Sequence, residues 1–83
     1  MPPRLPVPAE QLVNRVVTVP AGMCRYRSEP FTAWVLRIRE DISVWYDGDW
    51  VWIDVDELDH AGAVIRCLPV LVHVDVFASA VVP

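Results

Sequence analysis

The sequence predicts a mainly β fold: a single small five-stranded barrel of the SH3-like or Tudor-like kind, with a Trp-rich β-hairpin. Three observations lead there. Valine supplies 16 of the 83 residues, and β-branched side chains lose χ1 freedom in helices and pack well on a pleated surface. Turn-forming Gly, Pro, Asp and Ser clusters recur about every ten residues, the spacing of short antiparallel strands. Between them lie runs that alternate apolar and polar residues, the period of a half-buried strand.

The elements follow in order. Residues 1–8 hold four prolines and read as an extended, polyproline-like arm docked on the domain. Its stretch from Pro3 to Pro8 superficially suits an SH3-type groove, but short proline motifs are common. Over residues 8–15 a short N-terminal helix, with Pro8 in its first turn and Glu10 at its start, competes with a strand running from Leu12 to Val19. Val16-Val17-Thr18-Val19 is strand-like in either case, and Pro20 ends it. Residues 20–30 form a loop centred on Cys24-Arg25-Tyr26-Arg27. Residues 31–39 alternate as a half-buried strand, with Trp34, Leu36 and Ile38 on the inner face and Val35, Arg37 and Arg39 on the other, the arginines facing water.

The strongest local signal is Asp47-Gly48 between two apolar runs, the preferred pair for a two-residue type I′ turn. Such a turn pairs Trp45 with Trp50, Val44 with Val51, Ser43 with Trp52 and Ile42 with Ile53. It sorts the hairpin into a core face of Ile42, Val44, Val51, Ile53 and Val55, and an outer face of Trp45, Trp50 and Trp52 with Ser43 and Asp54. Residues 55–58 then read as a turn that drops Leu58 into the core, and Asp59-His60-Ala61-Gly62 as the next turn. Ala63–Leu68 and Val70–Phe77 read as two strands separated by Pro69. The domain proper spans 9–78, and 79–83 is a tail.

Composition narrows the function. An apolar share of 54% in so short a chain leaves a marginal core, which self-association would reinforce. No apolar run approaches the roughly 20 residues of a membrane span, and the N-terminus lacks the apolar stretch of a signal peptide, so the expected location is cytoplasmic. Cys24 and Cys67 are too few for a disulfide framework and are expected as reduced thiols. The net charge is −4, which disfavours general binding to phosphate backbones. Charge is uneven along the chain: residues 1–39 carry six arginines, and residues 40–59 carry eight acids and no base.

Catalytic chemistry finds little support. The carboxylates fall in turns or beside tryptophans and read as a solvated rim. Asp54, Asp56, Asp59 and His60 lack the glycine and distal glutamate of a calcium loop. His60, His73, Cys24 and Cys67 are not at zinc-ligand spacing. Either cysteine as a nucleophile would need one of the histidines brought to it by the fold. No cofactor or metal is expected, and the expectation is a non-enzymatic module.

Three binding readings remain. The first is a protein partner, or a second copy of the chain, docking on Trp45, Trp50 and Trp52 with Asp54 alongside, because exposed aromatic patches mark interaction sites. The second is nucleic acid on Arg25, Arg27, Arg37 and Arg39, with Tyr26 stacking. The third is an acidic, aromatic surface that imitates nucleic acid and blocks a basic site elsewhere.

Overall fold

Pairing between long strands, rather than the short Asp-Gly turn, sets this architecture. A computed structural model describes residues 3–42 and 48–78. They form a four-stranded antiparallel open sheet in the order β1-β2-β3-β4, with β1 at Val16–Val19, β2 at Phe31–Arg39, β3 at Trp50–Leu58 and β4 at Val64–His73. Two short 3-10 turns, Ala9–Gln11 and Val74–Phe77, flank it. The mainly β class therefore holds, with four strands in place of five.

The hairpin register differs from the expected one. Trp52 pairs with Arg39 and Ile53 with Ile38, not with Ser43 and Ile42. The partner of β3 is β2, and residues 40–49 connect them. Ser43 through Asp47, including Trp45, lie outside the described residues, as does the 79–83 tail. The physical reason is that Val35 and Ile38 give both Val55 and Ile53 apolar cross-strand partners, whereas the shorter hairpin would set Val55 opposite Glu40. They do so on a nine-residue strand that also pairs with β1.

A bulge between Val35 and Arg37 shifts the register. The extra residue inverts the parity of β2. Ala33, Val35 and Phe31 therefore point into the core, Trp34 and Leu36 point out, and Ile38 returns to pack against the core. This corrects the expectation that Trp34 and Leu36 share the inner face with Ile38.

Residues 55–58 continue β3 instead of turning. The inner face of β3 is Val51, Ile53, Val55 and Glu57, and Leu58 is only half-buried on the other side. At the far end, Pro69 does not split the last strand. It pairs with Asp54 within a continuous β4. The Leu71 carbonyl accepts from the Arg25 N–H (2.9 Å), and the His73 N–H donates to the Met23 carbonyl (2.8 Å). Those two residues thus turn their backbone groups away from β3. Two residues earlier, the nitrogen of Pro69 faces the same side, so its missing N–H costs no bond to β3.

The chain then leaves the sheet at His73. Its Nδ1 accepts from the Asp75 N–H (3.1 Å) and caps the Val74–Phe77 turn. A strand would send Val76 and Phe77 to opposite faces; the 3-10 turn buries both, along with Val74. At the N-terminus the helix-or-strand alternative resolves to the Ala9–Gln11 turn, with Leu12 buried behind it and the strand starting at Val16.

The core lies on the inner side of the sheet. Val17, Val19, Phe31, Ala33, Val35, Val51, Ile53, Val55, Val70 and Val72 line it, closed by Leu12, Cys24, Val74, Val76 and Phe77. The proline arm contributes Leu5 and Val7, and its Arg4 N–H donates to the Gly48 carbonyl (2.8 Å). An Arg4–Asp49 ion pair fastens the same place. Cys24 bridges to Val72 as an isolated pair, so the loop after β1 reaches the opposite edge of the sheet without closing it.

Asp59 organises the turn between β3 and β4. Its Oδ1 accepts from the N–H groups of Ala61 and Ala63, both at 2.9 Å, and Gly62 takes a left-handed φ of +87°. Asp59→Ala is expected to lower stability by about 1 kcal/mol, the net worth of such bonds at an exposed site. A urea midpoint equal to that of the wild type would show that the turn does not depend on them.

Candidate functional site

The outer face of the sheet is built by the residues of each strand that the core does not take. From β1 come Val16 and Thr18; from β2, Thr32, Trp34, Leu36, Arg37 and Arg39. From β3 come Trp50, Trp52, Asp54, Asp56 and Leu58; from β4, Val64, Cys67, Pro69 and Leu71. Register sets their neighbours. Val16, Trp34, Asp56 and Cys67 form one cross-strand row; Arg37, Asp54 and Pro69 form a second; Arg39, Trp52 and Leu71 form a third.

On the β1 and β2 side the apolar residues of this face are open to solvent, whereas Leu71 on β4 is fully buried. Val16 is 57% exposed, Trp34 40% and Leu36 37%. The charged part is arranged in stripes. β2 presents Arg37 and Arg39, and β3 beside it presents Asp54 and Asp56. Arg39 pairs with Asp41 through its Nε (3.3 Å) and lies 3.9 Å from Asp54. The hydrogen bonds from Arg39 hold the Asp41 carboxyl below its ordinary pKa and push the Arg39 guanidinium higher still.

The tryptophans named by the sequence have separate fates. Trp50 is engaged within the chain. The Arg25 guanidinium lies 5.2 Å from its ring centroid, and the His73 ring meets it edge-on at 5.3 Å and 80°. Trp52 is half-buried between Arg39 and Leu71. Asp54 sits beside it on the same face. Trp34 is the aromatic residue that the sequence reading placed inside, and the bulge is what turns it out.

The four arginines of the second reading occupy three settings. Arg25 covers Trp50. Arg37 and Arg39 lie on the outer face. Arg27 belongs to the inner side, where it holds Glu57 through two hydrogen bonds, Nη1 to Oε1 at 2.6 Å and Nη2 to Oε2 at 3.2 Å. Its guanidinium also stacks 4.3 Å from the Phe31 ring centroid, and Arg66 approaches the same carboxylate at 3.6 Å. Tyr26 is largely in solvent in the loop after β1, with a left-handed φ of 70°. Glu57 is only 7% exposed, so one acid expected on a solvated rim is instead buried and paired. The bonds from Arg27 hold its carboxyl below the usual range against the opposing effect of burial.

No family model, curated protein or solved structure matches the chain.

No hydrogen bond joins a thiol to an imidazole among the described residues. Both cysteines are free, Cys24 buried in the core and Cys67 exposed on β4. Burial pushes the Cys24 thiol up; at Cys67 desolvation and the neighbouring Asp56 carboxylate do the same. An activated nucleophile needs the opposite shift. His60 lies in the β3–β4 turn, and His73 is spent on Trp50 and the Asp75 N–H. Among the described residues, no three His, Cys, Asp or Glu side chains converge as a metal site.

Proposed function

We propose that the chain is a non-enzymatic interaction module that binds a protein partner, or a second copy of itself, through the outer face of its sheet. The observation that carries this is the joint exposure of Val16, Trp34 and Leu36 on one face, with half-buried Trp52 two rows along the same face beyond Arg37 and Asp54. Apolar side chains grouped on one face cost free energy in water that docking recovers, at about 25 cal/mol per Å². Tryptophan contributes most at such centres, and flanking charges give orientation.

The site reading is thereby moved along the sheet. Trp34 joins Trp52 and Asp54, whereas Trp50 serves the fold by holding Arg25 and His73. The nucleic-acid reading draws less support, because Arg25 and Arg27 are committed to Trp50 and Glu57. The bridge from Cys24 to Val72 curls the loop after β1 toward β4, and we read this as the approach to a small SH3-like barrel.

Trp34→Ser is expected to weaken association, with itself or with a partner, at least tenfold. The far-UV spectrum and thermal midpoint should stay near the wild type, because the side chain is half in water. Sedimentation and pull-down with the two proteins side by side measure it. Identical association by both would remove the outer face from the function.

A further inference from the structure

Resting on that reading of the outer face, we propose that its occupant is a second copy of this chain, packed face to face about a two-fold axis that runs along the strands between β2 and β3. Charge is what selects this arrangement. On the outer face the basic stripe of β2, Arg37 and Arg39, lies directly beside the acidic stripe of β3, Asp54 and Asp56, and Arg37 is in register with Asp54. Rotation about an axis parallel to the strands and midway between them exchanges β2 and β3. Each basic stripe then lies over the acidic stripe of the other copy. A two-fold axis running across the strands would instead lay β2 on β2 and β3 on β3, with like charges opposed.

The register makes the contacts specific. Two equivalent pairs form at the centre, each between Arg37 of one copy and Asp54 of the other. One level along, Arg39 comes over Trp52 of the second copy, a stacking arrangement for a guanidinium. One level the other way, Trp34 comes over the row that holds Asp56 and Cys67. Arg37 is exposed and has no ion pair among the described residues, so it keeps its charge available for this contact. Aligned sheets pack within about 30° of each other, so the match is closest at the central pairs and loosens toward the strand ends.

The area is adequate. Three strands of about nine residues, spaced about 4.8 Å apart and rising about 3.4 Å per residue, give roughly 14 by 30 Å before side-chain relief, and the short β1 adds an edge of about four residues. Side-chain relief raises this toward the lower end of the range around the roughly 800 Å² per partner of a standard interface. The same packing covers Val16, Trp34, Leu36 and Val64, which are otherwise among the most exposed large apolar side chains.

The test uses charge reversal on the full chain, read by sedimentation equilibrium at low and moderate salt. Arg37→Asp and Asp54→Arg are each expected to weaken self-association at least tenfold, because each opposes like charges twice across the axis. An equimolar mixture of the two variants should recover association to within about threefold of the wild type, as mixed dimers re-form both pairs. The mixture matters because Arg37 and Asp54 are also neighbours within one chain. Mixing leaves that internal repulsion in place, so recovery reports only on contact between chains. A monomeric wild type at high concentration would overturn the proposal, and so would a mixture no better than the separate variants. If Trp34→Ser weakens self-association while mixing rescues nothing, the face is used but this geometry is wrong. If neither Trp34→Ser nor either reversal changes an association that the wild type does show, the outer-face reading falls with it.

Discussion

Phe77→Ala is expected to destabilise the chain by about 3–5 kcal/mol, the cost of removing a fully buried aromatic ring. Phe77 has no exposed surface and is, with Leu12, Ile53 and Leu71, among the largest fully buried side chains. It reaches the core only because the chain turns into the 3-10 segment at Val74. Small domains have stabilities toward the low end of about 5–15 kcal/mol, so this single truncation should leave a large unfolded fraction at room temperature. Urea titration followed by tryptophan fluorescence would show a midpoint far below the wild type, or no cooperative transition. Tyr26→Ala, in the loop after β1 and largely in solvent, is the matched control and should stay within about 0.5 kcal/mol. Equal midpoints for the two variants would contradict the docking of the Val74–Phe77 turn onto the sheet.

The second large effect concerns Glu57. Glu57→Gln keeps the shape but removes the charge that Arg27 holds with two hydrogen bonds and Arg66 approaches. A hydrogen bond to a charged group is worth about 1.5–3 kcal/mol. Arg27 is still 27% exposed, so water screens part of this, and a loss of about 1–2 kcal/mol at neutral pH is expected. The sign of the pH dependence follows from the direction of the shift. The folded-state carboxyl titrates below its ordinary 4.5. Its contribution is therefore complete above that value and disappears as pH falls through the folded pKa. Wild-type stability should drop on acidification below about pH 4.5, and the variant should show a flatter acid limb and converge with the wild type in strong acid. Parallel acid limbs for the two proteins would mean that Glu57 gains nothing from Arg27.

Several features were legible in the residues themselves. The valine content and turn spacing point to antiparallel strands; β1 lies on the strand-like run 16–19, β2 on the alternating run 31–39, and β3 starts on the second arm of the expected hairpin. The inner face of β3 was readable as Val51, Ile53 and Val55, because a period of two on one strand needs no knowledge of its partner. The separation of Trp50, Trp52 and Asp54 from those residues came with it. The free cysteines agree with the sparse thiol content.

Other features were hidden for identifiable reasons. A bulge leaves no mark in composition, so alternation across residues 31–39 gave Trp34 and Leu36 the wrong face. Turn propensity at Asp47-Gly48 argued for the tightest hairpin, but register depends on the total pairing available to β2 and β3. Glu57 reads as a surface acid until Arg27, thirty residues earlier, is brought beside it. Pro69 reads as a break until its nitrogen is known to face away from β3, on the edge where Leu71 and His73 bond Arg25 and Met23.

Local chemistry in the sequence alone determined the strand class, the polarity of β3 and the positions of most turns. These depend on side-chain branching, backbone φ preferences and the two-residue period of a strand, all properties of neighbours in the chain. Only the tertiary structure decided which strand pairs with β3, which tryptophan stays open to solvent, and which acid is buried with its arginine. Each of those depends on competition among distant segments for the same apolar partners and the same charge, and the winner is set by the packing of the whole sheet.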